Sequence, residues 1–320
     1  MGRQTWSLIL LARLWFPGLA QGTEPVECFA GRPSMGTVLE VTVGEGWQPV
    51  SEDLGAVLHA SRRLFDGTRG AFDVTLGPVI LADRSCGGAG GVDPGRRRVA
   101  LEAVGGRGLV AMRRLAGLAR PGMAVDLGGI GKGHATDRVA ELLRSRGAVG
   151  GYLDFGRSSQ AGFGPRGWKI GVTGLDGCSF DSLELRDRSL STSEAGSPDN
   201  TVLDPTTGSP VRDRRLVTVR AASGVDAEGW STALVVLGRP GLKLVPRGLD
   251  VFYRDEAGVV RLIRSDDAGG RSDAPRRARD MPRHQDRARR TGVPELRDDP
   301  ELARPVQVHV CRPSRCESRM

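Results

Sequence analysis

Apolar residues recur along the chain at two spacings, in alternation over short runs and every third or fourth position over longer ones. The first pattern predicts strands and the second predicts helices. VLEVTV (38–43) alternates in part and predicts a strand. From about Ser51 to Phe65, Leu54, Val57, Leu58 and Leu64 share one face of a predicted helix. GTRGAFDVTLGP (67–78) predicts a turn entering a short strand that stops at Gly77-Pro78, and Gly- and Arg-rich residues 86–98 predict a surface loop. Met123, Ala124 and Val125 close another strand. DLGGIGKG (126–133) follows, and Ala135, Val139, Leu142 and Leu143 then line one face of a predicted helix, with Gly147 as its stop.

Beyond that helix, GYLDFG (151–156), Trp168 to Val172 and Leu216 to Ala222 predict strands. Leu190 to Ser193 (LSTS) leads through a polar loop to the turn LDPTTG (203–208), where Pro205 fixes φ and Gly208 closes the turn. Ala227 to Gly238 predicts a helix with Glu228, Ser231 and Thr232 near its start. From about Ser265 the character changes: Arg276 to Arg290 mixes arginine with aspartate, proline and alanine, and 291–320 has no sustained periodicity. Such a mixture buries too little apolar surface to offset ordering entropy, so a basic, disordered tail is expected over 265–320.

The 320 residues suffice for a sizeable core. A net charge of +8 raises nucleic acid as a partner, but much of the arginine excess lies in the tail and aromatics are only 5%. Stacking platforms are therefore missing, and handling of anionic small molecules is the better account, with no nucleic acid. Residues 1–22 read as a leader: Arg3 gives a positive start, Leu8 to Ala12 an apolar stretch and Gly18-Leu19-Ala20 a cleavage neighbourhood. Arg13 interrupts the stretch, which is too short to remain as a spanning helix, so export to the periplasm or cell envelope is expected. Only this leader offers a route to a membrane. The five cysteines include no CxxC pair and the four histidines are dispersed, so neither zinc nor a disulfide framework is expected. The division expected is leader 1–22, one domain over 23–264, and tail 265–320.

Two stretches carry chemistry. In 126–133, four glycines and Lys132 precede a helix, and backbone N–H groups at such a turn can approach an anion closely. A phosphate or pyrophosphate site is the functional reading, and a tight strand-to-helix turn without ligand is the alternative. The loop matches neither a Walker A motif nor GxGxxG, since Asp126 stands where glycine is required and Gly133 follows Lys132. Glu228 and Thr232 lie four apart and share a helix face, two oxygen donors suited to Mg²⁺. The alternative for that pair is an exposed glutamate complementing its own helix dipole beside a back-bonded threonine.

Taken in order, MGT (35–37), GAFDVT (70–75), DLGGIGKG (126–133), LSTS (190–193), LDPTTG (203–208) and STALVVLG (231–238) resemble the FAD:protein FMN transferase (ApbE-like) family over roughly residues 30–262. The resemblance implies an α+β fold of mixed β-sheets flanked by helices. It also implies a Mg²⁺-dependent transfer of FMN from FAD, as substrate, to a threonine of an acceptor flavoprotein, with release of AMP. It places Met35, Ala71, Phe72, Asp73, Asp126, Lys132 and Leu203 against FAD, with Lys132 and Asp204 in catalytic roles. It assigns the metal to Gly129, Glu228 and Thr232.

This sequence departs from the family pattern in three places. The segment between MGTVLEVTV and the Ser51 helix is short, and the family's HxxDP reads TVLDP, with Thr201 in place of the histidine. Glu228 stands for an aspartate, lengthening that ligand by about 1.5 Å where Mg²⁺ asks for near-octahedral bonds of about 2.1 Å. Those departures keep a second expectation open, a catalytically impaired or FAD-hydrolysing flavin-binding homologue. A third, from a different class, is a basic adaptor whose tail binds an acidic partner.

Overall fold

A computed structural model describes residues 28–30, 39–41, 47–85, 93–173, 179–196, 202–264 and 307–311. The leader, Met35 and Thr201 lie outside them. In chain order come β1 (Cys28–Ala30), β2 (Leu39–Val41), β3 (Gln48–Pro49), α1 (Glu52–Gly67), α2 (Gly77–Ser85), α3 (Pro94–Glu102), β4 (Leu109–Ala111), β5 (Leu115–Leu118) and β6 (Val125–Asp126). Then follow α4 (Gly131–Ser145), β7 (Gly150–Phe155), β8 (Ser159–Phe163), β9 (Trp168–Thr173), β10 (Ser179–Leu185), β11 (Arg188–Ala195), β12 (Leu203–Asp204) and β13 (Ser209–Pro210). The last are β14 (Arg215–Ala221), α5 (Gly224–Leu237), β15 (Asp250–Asp255), β16 (Gly258–Ile263) and β17 (Gln307–Cys311). The class is α+β, and each strand pairing among the described residues is antiparallel.

The frame is a seven-stranded sheet in the order β16-β15-β14-β11-β8-β7-β17. Period-two alternation divides its side chains between two cores. Val217, Val219, Val251 and Tyr253 enter the larger core with α1 and α5, whereas Leu190 and Phe252 turn to the other face, under the β9–β10 hairpin. α5 is buried on nearly all sides, through Val225, Ala227, Trp230, Ala233, Leu234 and Val235, as expected of a helix in the middle of a fold. α4 lies beside it and covers Leu153, Ala161 and Phe163 through Ala140, Val139 and Leu143. A buried ion pair, Arg220 Nε to Asp250 Oδ2 at 2.8 Å, crosses from β14 to β15.

Several elements differ from the sequence expectations, each for a local reason. GAFDVT forms no strand: Asp73 caps a 3₁₀ turn over Val74–Leu76, and Gly77-Pro78 opens α2 instead of stopping an element. Proline suits a first helical turn, where its missing N–H has no partner to lose. Within 86–98, Asp93 accepts from the Arg96 N–H and starts α3 at Pro94. α4 begins at Gly131, four residues before the predicted face, and Leu142 of that face is exposed while Thr136 and Ala140 are buried. α5 likewise begins earlier, capped by Ser223, which places Glu228 in its second turn. β11 runs on to Ala195. In the region expected as tail, Gln307–Cys311 pairs with β7.

Candidate functional site

The glycine-rich loop leaves β6 and enters α4 against the N-terminal half of α5. Asp126 Oδ1 accepts from the Gly128 N–H at 2.8 Å, which closes the turn, and Leu127 and Ile130 anchor it in the core. α4 has no side-chain cap of its own at Ile130. Its cap comes from the neighbouring helix: Glu228 Oε2 accepts from the Gly133 N–H at 2.5 Å. Glu228 Oε1 receives Lys132 Nζ at 2.7 Å. Both oxygens of a side chain only 4% exposed are therefore engaged by the loop. The sequence alternative of an exposed glutamate serving its own helix is excluded, because the carboxylate is buried and sits at the N-terminus of α4.

The two helices meet this closely because both positions at the crossing are glycine. A Cβ on Gly133 would lie 2.2 Å from the Gly224 carbonyl oxygen, and one on Gly224 would lie 2.5 Å from that of Gly133. Asp137, one turn further along α4, accepts from the Gly224 and Val225 N–H groups at 2.6 and 3.1 Å and caps α5 in return. Burial pushes the Asp137 carboxyl above its ordinary value, with the two amides pulling the other way.

Gly129 is the meeting point of three of the sequence motifs. A Cβ there would lie 3.2 Å from Phe72 Cε2 and 3.8 Å from Thr232 Oγ1. Phe72, Gly129, Lys132, Glu228 and Thr232 thus come together. Ala71 and Asp73 flank Phe72 and are buried. The Asp73 carboxylate faces inward: Oδ1 accepts from Thr75 N and Oγ1, and Oδ2 from Gly106 N. Desolvation raises its pKa against those bonds. Asp73 thereby holds the backbone that presents Phe72. Leu203 and Asp204 stand in the separate β12–β13 hairpin, where Asp204 Oδ1 accepts from Thr206 N and Oγ1. That hairpin approaches α3, since a Cβ on Gly208 would lie 3.1 Å from Leu101.

LSTS had no residue-level role in the sequence reading. Its alternation places Ser191 and Ser193 on the α5 side of β11, opposite Val219 and Val217 in register. Ser193 Oγ lies 2.7 Å from Ser231 Oγ and 3.3 Å from Thr232 Oγ1, and Ser231 Oγ also donates to the Glu228 carbonyl at 3.0 Å. The signal was legible: hydroxyls occupy the core-facing positions of an otherwise apolar sheet, and buried hydroxyls need partners.

As a donor set, one carboxylate, the hydroxyl of Thr232 and the backbone of Gly129 are hard oxygen ligands. Among the described residues no cluster of three or more His, Cys, Asp or Glu forms a self-sufficient cage. This composition fits Mg²⁺, which commonly takes one or two carboxylates and completes its shell from waters and substrate phosphates. A cavity of about 280 Å³ further along α4, lined by Asp137, Arg144, Phe163, Arg188 and Ser223 among others, shares no residue with the cluster.

Known proteins share the sequence pattern and the fold. The FAD:protein FMN transferase of Salmonella typhimurium is 27% identical over 240 residues, 64% of this chain and 65% of that protein. The chain thus spans just under two thirds of that relative's length. The crystal structure of the ApbE protein from Thermotoga maritima has a TM-score of 0.60 at 26% identity, covering 68% of this chain and 77% of that one. Apo flavinyl transferase ApbE from Pseudomonas stutzeri shares the fold, with a TM-score of 0.60 at 23% identity over 78% of this chain and 97% of its own. The sequence model of the ApbE family matches residues 38–253, which span the loop, α4, β11 and α5, and the chain belongs to that family.

Proposed function

We propose that this protein is a Mg²⁺-dependent FAD:protein FMN transferase, which moves FMN from FAD to a threonine of an acceptor flavoprotein and releases AMP. The single observation that carries the reading is the meeting of Lys132, the Gly133 amide and Glu228 at the head of α4, next to Gly129 and Thr232. Relatives named for this activity support it. Phosphoryl transfer asks little covalent chemistry of a protein; positioning and offset of charge dominate, and these are the groups that do so. Lys132 and the Gly133 amide would bind the pyrophosphate in place of Glu228. Phe72, over Gly129, would border the nucleotide, with Met35 and Leu203 as further flavin contacts. Glu228, Thr232 and the Gly129 carbonyl would hold Mg²⁺, which when bound offsets charge on the phosphates. Asp204 would orient the incoming hydroxyl. Export, on the strength of residues 1–22, belongs to the same reading.

A second reading, a flavin-binding chain slow in transfer or hydrolysing FAD, has one observation in its favour. Asp204 directs Oδ1 into its own turn, and residue 201, where the resemblance implies a histidine, is threonine. Losing a positioned general base costs roughly 10²–10⁴ in rate. Incubation of the full chain with FAD, Mg²⁺ and a threonine-bearing acceptor, read by mass spectrometry, separates the two. Covalent FMN on the acceptor with stoichiometric AMP supports the transferase. AMP without acceptor FMN supports the second reading, and neither product overturns enzymatic function.

A further inference from the structure

Glu228 lies where two external ions of opposite sign would lie. Its carboxylate caps the N-terminus of α4 through Gly133, the place of an anion, while its own partner is the Lys132 ammonium, the place of a cation. Both side chains are well shielded, Lys132 at 21% and Glu228 at 4% exposure. A buried charge stripped of its partner is heavily penalised, so neither can be released singly without a replacement. The length of the acid matters here. Glu228 comes from the second turn of α5 and reaches across to α4, so an aspartate at the same position would fall short by one methylene, roughly 1.5 Å. That is enough to turn a 2.7 Å ion pair into a separated one.

We propose that Lys132 and a divalent cation are alternative partners of the Glu228 carboxylate. The protein keeps an internal ion pair, which a metal and a phosphate replace together. The phosphate draws Lys132 and the Gly133 amide, which frees the carboxylate for the metal. The glutamate thus sets the metal affinity of the free protein low and couples it to the nucleotide. The proposal rests on the metal and phosphate assignments made above, but it makes a claim about the protein without nucleotide that those assignments do not.

The test is Mn²⁺ binding to the full chain, followed by electron paramagnetic resonance without nucleotide, in wild type, Glu228→Asp and Lys132→Met. Glu228→Asp preserves every charge and breaks the contact by distance alone; Lys132→Met removes the internal cation and serves if the first variant fails to fold. Each folded variant is expected to bind Mn²⁺ at least about tenfold more tightly than wild type. Circular dichroism and thermal melting establish folding. A second readout uses FAD fluorescence in EDTA, where Glu228→Asp, with Lys132 set free, binds FAD several-fold more tightly than wild type. Mn²⁺ affinity equal to or weaker than wild type in either folded variant overturns the exchange. Absence of FAD binding in all forms, with and without metal, would instead refute the flavin reading, while the Mn²⁺ comparison still reports on the exchange.

Discussion

Gly133→Ala is the most informative small perturbation of this fold. One methyl at that position would sit 2.2 Å from the Gly224 oxygen, 2.5 Å from its carbonyl carbon and 2.9 Å from Val225 N, all backbone atoms of the facing helix. No side chain can rotate away, so α4 and α5 must part by about 1 Å before an ordinary contact is restored. That separation acts on the Gly133–Glu228 bond at 2.5 Å and on the Asp137 cap at 2.6 and 3.1 Å. Overpacking of a tight contact costs about 1–3 kcal/mol. A weakened charge-assisted bond adds about 1.5–3 kcal/mol. A loss of about 3–5 kcal/mol corresponds to roughly 6–20 °C in Tm for a domain of this size. Gly131→Ala is the internal control: its Cβ meets nothing within 4 Å and its φ lies outside the left-handed region. There the substitution is expected to be neutral or to stabilise by up to ~1 kcal/mol. Urea unfolding and thermal melts of both variants measure the difference. Gly133→Ala within about 1 kcal/mol of wild type, or equal shifts for the two, would refute the reasoning.

Three further outcomes are expected. Asp250→Ala removes the carboxylate facing the buried Arg220 guanidinium, which keeps the Glu184 carbonyl, and removes the acceptor of the Arg264 N–H, so stability falls by about 3 kcal/mol in urea unfolding. Ser193→Ala lowers stability by only about 1 kcal/mol, because Ser231 keeps the Glu228 carbonyl and Ser191, while FAD affinity in Mg²⁺ falls as Thr232 loses its neighbour. Asp137 is raised above 3.8 by burial, so the folded protein holds a proton there at a pH where the unfolded chain has released it. Its contribution to stability is full below the ordinary value and declines as pH rises through the folded one. The destabilisation caused by Asp137→Asn, measured in urea, therefore shrinks from pH 3 to pH 7.

The sequence made the main helices α1, α4 and α5 legible, together with β7, β9 and β14, whereas β8, β11, β15, β16 and β17 of the seven-stranded sheet were not predicted as strands. It also made the loop and its partner residues legible, since glycines, Lys132 and the Glu228–Thr232 spacing are chemical signals independent of tertiary structure. Two helices, α2 and α3, were misread because caps define them. α3 buries no residue and is started by Asp93 with Pro94, and α2 opens at Gly77-Pro78 directly behind the 3₁₀ turn that Asp73 caps. Period alone does not detect such helices. The pairing of Glu228 with Lys132 and Gly133 was illegible for another reason. It joins residues 95 apart along the chain for Gly133, and only the glycine-to-glycine crossing of α4 and α5 brings them together. Ser193 was visible as part of a motif, but its partners became assignable only once register placed it facing α5.

The proposed function makes the loop at the head of α4, beside Phe72 and Thr232, the flavin-nucleotide site. Its most direct test is a titration of FAD into the full chain, followed by flavin fluorescence in Mg²⁺, for wild type and Gly129→Val. A branched side chain at Gly129 must grow from a point 3.2 Å from Phe72 and 3.7 Å from Thr232 Cγ2, filling the space where the backbone would meet a phosphate. Wild type should bind saturably, and Gly129→Val should bind at least about tenfold more weakly, roughly 1.4 kcal/mol, while its thermal melt stays cooperative. Equal affinities in the two forms, or no saturable binding by wild type, would contradict the account.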